Sequence, residues 1–266
     1  MGFMRVTVIG CAGSFPGPSS PASCYLFEAD GFRLVVDMGN GALGVLQRHA
    51  GIAGIDAVLL SHLHADHCVD LYAYRIARRY APGGPMPAIP VYAPSGALER
   101  LAKIHGFDDD DGMAEQFEFS TLQPGRLSIG PFAVEAGHVN HPVEAFGFRF
   151  SAGGASVAYS GDTGESDELV RLAAGADLAL FEASFLTTQV GRPPNVHLTA
   201  REAAQHAIRA GVEHLVLTHL VPWNDPDCSR EEGAAVYDGK LTVASTGLAF
   251  DLGGALDNPG HGDVSI

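Results

Sequence analysis

The feature that most constrains this chain is a group of three histidines and one aspartate within six positions, namely His62, His64, Asp66 and His67. The group directly follows the short apolar segment 57–60, which has the length and composition of a buried strand. Imidazole and carboxylate groups together are typical ligands of borderline divalent ions such as zinc, and they also serve manganese or iron. A polar loop with ordinary histidines is the alternative, but this density of ligands at a strand end favours a metal site.

The spacing within this histidine run predicts two metal ions. His62 and His64 are two positions apart, so on an extended or loop backbone their side chains point to the same side and can share one ion. Asp66 and His67 lie just beyond, at the predicted start of a helix, where they can reach a second ion. The run therefore predicts half of a two-metal hydrolytic site, and the remaining ligands must come from elsewhere in the chain.

Length and composition predict one large soluble domain without disulfides. The chain has 266 residues, of which 46% are hydrophobic and 18% charged, so it can bury a full core. Its longest apolar stretches fall far short of the ~20 residues that a membrane span needs. The first residues run into a strand-like segment without the pattern of a signal peptide, and the four cysteines show no paired spacing. We therefore expect a cytoplasmic protein that does not bind membranes.

The charge of the chain bears on its partners. The formal net charge is −15, from 31 acidic and 16 basic side chains, which disfavours a stable complex with a nucleic acid. Two divalent ions would place four positive charges at one point, and this suits a small anionic substrate. Arg75, Arg78 and Arg79 form the one basic cluster, and their helical spacing predicts a solvated helix face, with phosphate contact as the alternative.

Strands with interspersed helices are predicted in both halves of the chain. The predicted strands are 6–10, 24–28, 33–37, 57–60, 89–92, 132–136, 145–150, 157–160, 178–181 and 214–218. The predicted helices are 41–50, 71–80, 95–105, 166–174 and 199–210. The last helix has Thr199 as its N-cap, Glu202 at capping-box spacing and Gly211 as its stop. We expect a single α/β domain over residues 1–252, with two packed sheets covered by helices, and a loosely held tail over 253–266.

Three residues at predicted strand ends can complete the metal site. His141 and Asp162 each follow a predicted strand, and His219 directly follows the strand 214–218. A carboxylate can bridge two cations, whereas a neutral imidazole generally serves one, so Asp162 is the natural shared ligand. Each residue alone would more often be an ordinary loop residue, but the histidine run needs partners, and we predict all three as ligands.

Together these motifs resemble the metallo-β-lactamase superfamily, and in particular its ribonuclease Z-like branch. The resemblance extends from Val6 to about Leu252 and rests on 61–67, His141, 161–163, 182–185, His197 and 218–219. It implies a four-layer αββα sandwich with the metals at one edge of the sheets. It also implies that one metal is held by His62, His64, His141 and Asp162, and the other by Asp66, His67, Asp162 and His219.

The same resemblance implies the catalytic residues Asp66, Glu182 and His197. His197 matches the position that contacts the phosphate and assists proton delivery to the leaving group, and Glu182 matches the acid that orients this histidine. A carboxylate paired with an imidazole raises the pKa of the histidine and fixes its tautomer, as a general acid near neutral pH requires. Two cations about 3.5–4 Å apart would supply the attacking hydroxide. The alternative for His197 is a surface histidine at a helix entry.

The predicted substrate class follows from a difference within this branch. Ribonuclease Z carries a protruding arm rich in glycine, proline and basic residues that grips tRNA, whereas the Gly/Pro stretch 81–90 of this chain is short and has no lysine or arginine. The chain looks more like the compact actinobacterial-type cyclic nucleotide phosphodiesterases, in segments 13–23, 46–50, 60–68 and 158–164. That resemblance implies hydrolysis of 3′,5′-cyclic AMP to 5′-AMP with two divalent ions, zinc above all, by a homodimer.

Two other functions remain open. A tRNA 3′-processing endonuclease would need an RNA-gripping surface that the sequence does not show. A structural metal domain serving as a binding module would normally close its zinc with four protein ligands, whereas a shared Asp162 beside His197 favours open, reactive coordination. Hydrolysis of β-lactams or thioesters is less favoured, because the pair Glu182 and His197 is a feature of the phosphodiesterase branch.

Two residues are candidates for contact with the substrate. Trp223, the only tryptophan, follows His219 closely and is a candidate platform for a purine base, since aromatic stacking tolerates any base. A packing or dimer contact is the alternative for Trp223. Ser14, in the first loop, is a candidate residue of the rim.

Overall fold

Two seven-stranded β-sheets form the framework of the computed structural model, which describes residues 2–105 and 111–254. The first sheet contains β1 (Met4–Gly10), β2 (Cys24–Ala29), β3 (Phe32–Val36), β4 (Ala57–Leu59), β5 (Ile89–Ala93), β6 (Phe117–Thr121) and the last strand, β14 (Ala249–Leu252). The second sheet contains β7 (Gly125–Ile129), β8 (Phe132–His138), β9 (Phe146–Ala152), β10 (Ala155–Tyr159), β11 (Leu178–Glu182), β12 (His214–Thr218) and β13 (Lys240–Val243).

Helices lie on the outer faces of both sheets. They are α1 (Ala42–Leu46), α2 (Ala65–Cys68), α3 (Asp70–Arg79), α4 (Ala97–His105), α5 (Asp111–Ala114), α6 (Asp167–Leu172), α7 (Ala200–Ala210) and α8 (Pro226–Ala234). One apolar core fills the space between the sheets, a second packs α1, α3 and α4 on the first sheet, and a third packs α6 and α7 on the second. This confirms the predicted α/β sandwich with four layers in the order αββα.

The central strands are apolar on both faces because each face is covered. In β3, Leu34 and Val36 point into the core between the sheets, whereas Val35 packs against the helices. In β12, Val216 belongs to the core between the sheets, and Leu215 and Leu217 belong to the helix-covered core. Such strands read as continuous apolar runs, which is why the sequence predicts them.

The two sheets share one strand plan. In the first, β1, β2 and β3 pair antiparallel, and β4, β5 and β6 continue in parallel from β3. In the second, β7 to β10 pair antiparallel, and β11, β12 and β13 continue in parallel from β10. In a parallel sheet the carboxyl ends of the strands lie at one edge, and ligand sites form in the crevice outside them. The loops after these strands carry most of the predicted site residues.

Two tyrosines link the sheets close to this edge. The hydroxyl of Tyr25 lies 2.6 Å from Oγ1 of Thr218 in the other sheet, and the hydroxyl of Tyr159 donates to Oδ2 of Asp37 at 2.7 Å. The two tyrosine rings pack together with their centroids 4.9 Å apart. Buried polar groups that are hydrogen-bonded across two layers fix how the layers sit on each other.

Several elements differ from the prediction. The strands β6, β7, β13 and β14 and the helices α5 and α8 were missed, because most are short and partly exposed and so lack a long apolar run. The helix predicted from residue 95 begins at Ala97, because Ser95 donates from its amide and hydroxyl to Glu144. The predicted helix 199–210 is confirmed with its complete capping box. The predicted tail lies outside the described residues from position 255 onward.

The prediction of a solvated arginine face on α3 is wrong for two of its three members. Arg75 and Arg78 are buried, and each donates to a backbone carbonyl, that of Gly112 and that of Pro87. Arg78 also donates to the hydroxyl of Tyr74 at 3.2 Å. Within residues 2–105 and 111–254, none of the helices is long and apolar enough to cross a membrane.

Candidate metal centre

The histidine run lies in the connection after β4. His62 and His64 are on the loop, and α2 begins immediately after them and carries Asp66 and His67 in its single turn. The backbone of α2 approaches Gly39 so closely that a Cβ atom at Gly39 would collide with the carbonyl of Asp66. This contact holds α2 against the end of β3.

The three other predicted ligands come from separate loops of the second sheet. His141 follows β8, Asp162 follows β10, and His219 follows β12. His219 has a left-handed backbone with φ of 53°, and its carbonyl packs against Gly13, where a Cβ atom would collide with it. The structure therefore brings together, at one edge of the sandwich, residues that are up to 157 positions apart (His62 to His219).

The first group of ligand atoms belongs to His62, His64, His141 and Asp162. Nδ1 of His64 lies 3.1 Å from Nε2 of His62 and 3.2 Å from Nε2 of His141. Oδ2 of Asp162 lies 3.5 Å from Nε2 of His62. Burial is the main cause that lowers the pKa of all three histidines, which favours the neutral imidazole that binds metals.

The second group belongs to Asp66, His67, Asp162 and His219. Nε2 of His219 lies 3.1 Å from both Nε2 of His67 and Oδ2 of Asp66. Oδ1 of Asp162 lies 3.1 Å from Nε2 of His67, so the two oxygens of Asp162 face different groups. Burial raises the pKa of Asp162, but the neighbouring imidazoles of His219, His67 and His62 hold it well below its usual range.

The chemistry of these donors fits two divalent cations. In each group one ligand atom per residue lies within 4.8 Å of all the others. Oδ1 of Asp162 is buried and accepts no hydrogen bond from the described residues, as expected for an oxygen that coordinates an ion. The imidazole nitrogens of His62 and His64, and those of His67 and His219, face each other at 3.1 Å and direct lone pairs at a common point. In His62, His67 and His219 the opposite ring nitrogen already contacts an oxygen. A cation at that point satisfies them.

In four of the five predicted histidine ligands, the ring nitrogen that does not face the other ligand atoms contacts an oxygen. Nδ1 of His141 donates to the carbonyl of Val196 at 2.9 Å, and Nδ1 of His219 donates to Oγ of Ser184 at 2.7 Å. Oγ of Ser61 accepts from Nδ1 of His62 at 3.1 Å. Such contacts fix the tautomer and the orientation of a metal-binding imidazole.

Asp37 is a functional residue that the sequence interpretation missed. It is buried at the end of β3 with a left-handed φ of 57°, and it accepts hydrogen bonds from Nδ1 of His67 at 2.7 Å and from Tyr159. It also accepts from the amide and hydroxyl of Ser61 at 2.7 and 2.8 Å. Burial lowers the pKa of His67, but the carboxylates of Asp162 and Asp37 raise it well above its usual range, so cation binding there must release a proton. The sequence signal that could have identified Asp37 is its place at the end of a predicted strand, β3, which pairs with the strand before the histidine run.

The pair Glu182 and His197 lies beside both groups. Nδ1 of His197 donates to Oε1 of Glu182 at 2.8 Å, and the ring lies between those of His141 and His219, with centroids 5.6 and 5.4 Å away. Glu182 is fully buried and also accepts from the amides of Thr163 and Ser184. Burial lowers the pKa of His197, but the charge of Glu182 and its hydrogen bond raise it to about 9. The raised pKa favours the protonated ring, in which Nε2 is left to donate.

Of the two predicted substrate residues, Ser14 contacts the second group directly, whereas Trp223 contacts the neighbouring Phe15. The backbone amide of Ser14 donates to Oδ2 of Asp66 at 2.9 Å, and Ser14 is exposed. Trp223 is 71% exposed and packs against Phe15, with the ring centroids 4.9 Å apart. This position is compatible with both interpretations of Trp223, a packing contact and a platform for a base, so the role of each residue stays a prediction.

Comparison with known proteins places the chain among metallo-hydrolases. The model of the beta-lactamase superfamily domain matches residues 33–220. An uncharacterized protein of Mycobacterium tuberculosis is 43% identical over 94% of this chain and 92% of its own length. The ribonuclease Z of Mycobacterium bovis is 32% identical over 91% of this chain and 96% of its own length.

The probable metallo-hydrolase YhfI of Bacillus subtilis extends the likeness to the whole fold. It is 32% identical over 93% of this chain and 100% of its own length. The crystal structure of this metallo-beta-lactamase fold protein superposes with a TM-score of 0.83, over 94% of this chain and 99% of the other. The strand order of the two sheets and these relatives both indicate the same fold, that of the metallo-β-lactamase proteins.

Proposed function

Since this chain belongs to the metallo-β-lactamase superfamily, in its ribonuclease Z-like branch, we propose that it is a metal-dependent phosphodiesterase that hydrolyses 3′,5′-cyclic nucleotides, in particular cyclic AMP to 5′-AMP. The family makes the protein a metallo-hydrolase. The observation that carries the finer proposal is the contact of 2.8 Å between Nδ1 of His197 and the buried carboxylate of Glu182, beside two ligand groups that share Asp162. A general acid next to two cations is what cleavage of a phosphodiester with an alkoxide leaving group requires.

The donors of the two ligand groups suit zinc best, and manganese or iron also accept such donors. When bound, two divalent cations would lower the pKa of a water molecule to about 7 and neutralise charge on the phosphate. The residues of the first group would hold one cation, and those of the second group the other.

The protein's own side chains orient the proton donor and protonate the leaving oxygen. In the reaction, water gives up one proton to the solvent and its oxygen forms a bond to phosphorus, while the bond between phosphorus and O3′ breaks and leaves its electron pair on O3′. His197 donates the proton from Nε2 to the departing O3′, and the buried carboxylate of Glu182 stabilises the imidazolium and keeps the ring in place. Asp66, a predicted catalytic residue, accepts from the amide of Ser14 and so ties the first loop to the centre.

A small substrate agrees with the charge of the chain. A surface with a formal net charge of −15 repels a long polyanion, and the two cations attract a single phosphate. Ser14, exposed in the first loop beside Asp66, is a proposed contact with that substrate, and the exposed Trp223 is the alternative to the base site proposed below. A homodimer is the proposed assembly, on the resemblance alone.

The second candidate is a tRNA 3′-processing endonuclease. It is favoured by the 32% identity to the ribonuclease Z of Mycobacterium bovis across nearly the whole chain. Both reactions break a bond between phosphorus and O3′, so one centre can serve either of them. The absence of a basic segment at 81–90 argues against an RNA-gripping arm.

The test compares kcat/KM of the metal-loaded protein on cyclic AMP, cyclic GMP and a precursor tRNA. We expect turnover of the cyclic nucleotide, and we expect His64→Ala to abolish it. The matched control is His49→Ala, because His49 is an exposed histidine outside both ligand groups. Efficient cleavage of the precursor tRNA without turnover of cyclic AMP would refute the proposal and favour the second candidate.

A further inference from the structure

A cavity of about 420 Å³ has His197 in its wall. Its walls include Gly164, Phe185, Gln189, Arg192, Asn195 and His197 itself. None of the predicted metal ligands lines it. Its volume lies within the range of small-molecule sites.

The walls of this cavity are built from the connection between β11 and α7. The ring of Phe185 packs edge-on against the ring of His197, with centroids 5.2 Å apart and an interplanar angle of 88°. Asn195 has a left-handed backbone with φ of 58° and packs so closely on Gly164 that a Cβ atom there would collide with it. The cavity therefore begins at the general acid and continues over Phe185.

Arg192 lies at the far side of Phe185 and has hydrogen-bonding capacity to spare. Its guanidinium carbon is 5.9 Å from the centre of the Phe185 ring, and its NH1 is 3.6 Å from Oε2 of Glu202. That separation is too long for a hydrogen bond, and the Glu202 oxygen already accepts from the amide and hydroxyl of Thr199. Toward the part of the chain that the structure describes, Arg192 donates no hydrogen bond, although its side chain is only 29% exposed.

We propose that this cavity binds the sugar and base attached to the leaving oxygen, and that Arg192 is a specificity-determining residue that donates to acceptors of the base. The inference rests on the proposed function. His197 gives its proton to O3′, so the atoms bonded to O3′ must lie beside His197. The cavity is the space that adjoins this ring, and a nucleoside supplies both the flat surface that Phe185 can contact and the acceptors that a guanidinium recognises.

The competing position for the base is the pair of Trp223 with Phe15, which follows Ser14 in the first loop. These rings are tilted by 46° to each other and do not line the cavity. The pair offers a surface for stacking and the indole N–H of Trp223, but no charged donor. The cavity offers the donors of Arg192 together with the carboxylate acceptors of Glu165 and Glu202, and a nucleobase presents both acceptors and donors.

The first measurement is the binding of adenosine to the metal-loaded protein by equilibrium dialysis, which needs no turnover. We expect Arg192→Ala to weaken binding about tenfold, because a charged donor is lost. Arg192→Lys, which keeps the charge but not the planar fork, should recover part of the loss. Arg209→Ala is the matched control, since Arg209 is an exposed arginine that pairs with Asp167 outside the cavity, and it should bind adenosine as the wild type does.

The second measurement is the ratio of kcat/KM on cyclic AMP to kcat/KM on bis(p-nitrophenyl) phosphate, a phosphodiester without sugar or base. We expect Arg192→Ala to lower this ratio about tenfold, in line with the loss in adenosine binding. An equal fall on both substrates would mean that Arg192 only positions His197, which overturns the inference. Weaker adenosine binding in Trp223→Ala with no change in Arg192→Ala would place the base on Trp223 and also overturn it.

Failure of the inference and failure of the proposed function give different results. If the wild type hydrolyses cyclic AMP but Arg192→Ala binds adenosine as tightly as the wild type does, the proposed base site is disproved and the proposed activity stands. A wild type that binds adenosine through Arg192 but hydrolyses no cyclic nucleotide supports the cavity and disproves the activity.

Discussion

The two sheets have the same strand plan but contribute to the metal centre in different ways. The first sheet supplies four of the predicted ligands from one continuous run of six residues after β4. The second sheet supplies three predicted ligands, one each from the loops after β8, β10 and β12, and adds the pair Glu182 and His197. A compact motif on one sheet thus provides much of the proposed cation site, and dispersed residues on the other complete it and add the proposed acid.

Equivalent positions in the two sheets show how little the plan dictates the role. Both β3 and β10 stand where antiparallel pairing changes to parallel, and each is followed by a buried carboxylate, Asp37 and Asp162. Asp162 belongs to both ligand groups. The carboxylate oxygens of Asp37 instead accept hydrogen bonds from His67, Ser61 and Tyr159. The hydrogen-bond donors around each carboxylate decide which one remains free for a cation.

The largest expected effect tests the shared ligand of the second sheet. Asp162→Ala removes an oxygen from both ligand groups, so we expect loss of both ions and a fall of about 10³-fold or more in kcat/KM on cyclic AMP. Elemental analysis of the dialysed protein measures the metal content. His64→Ala is the comparison from the first sheet and should lose one ion. Retention of two ions by Asp162→Ala would contradict the idea that the sheets meet at this residue.

The next effect separates the acid from the ligands. His197→Ala should lower kcat on cyclic AMP by about 10²- to 10⁴-fold, more than it raises KM, because a proton donor to the leaving group is lost. Its metal content should remain that of the wild type, since His197 belongs to neither of the two main ligand groups. A loss of bound metal together with activity would show that His197 acts as a ligand.

Substitution of Asp37 should affect metal affinity, whereas substitution of Glu182 should affect kcat. Asp37→Asn weakens the support of the ligand His67, so we expect metal affinity to fall about 10- to 100-fold. Glu182→Gln weakens the support of the acid His197 and should lower kcat with metal affinity unchanged. Metal titration by calorimetry and steady-state kinetics on both variants measure the difference, and the same phenotype in both would remove the distinction between the sheets.

The smallest effect concerns acid stability of the second sheet. Burial and the nearby Lys240 lower the pKa of His214, at the start of β12, to about 4. Between pH 6.5 and 4 the unfolded chain binds a proton that the folded chain does not, so this residue makes the protein less stable as the pH falls. His214→Gln should reduce the loss in unfolding free energy between pH 7 and 5 by less than about 2 kcal/mol, measured by urea denaturation. An unchanged loss would show that His214 is not the acid-sensitive group.

The parts of the molecule that could be predicted from the sequence are those with a local signal. The histidine run, the apolar strands such as β12 and the capping box of α7 are each specified within about ten residues. Asp162 and His219 carry no signal of their own and could be identified only because the run required partners.

The missed features depend on contacts between distant segments. Asp37 matters because His67, thirty positions later, lies 2.7 Å from it. Arg75 has the spacing of a solvated face, yet it is buried and donates a hydrogen bond to the carbonyl of Gly112 in α5. Ser184 supports His219, thirty-five positions later, with its hydroxyl oxygen 2.7 Å from Nδ1 of the ring.

The return of the last strand to the first has a consequence for how the protein is made. β14 pairs antiparallel with β1, across a separation of more than two hundred residues, and so completes the first sheet. During translation at about 5–20 residues per second, the free side of β1 waits on the order of ten to fifty seconds for its partner. An unpaired strand edge is a template for wrong pairing, so the nascent chain is most exposed to aggregation over that interval. The ribosome must deliver almost the whole chain before the first sheet closes.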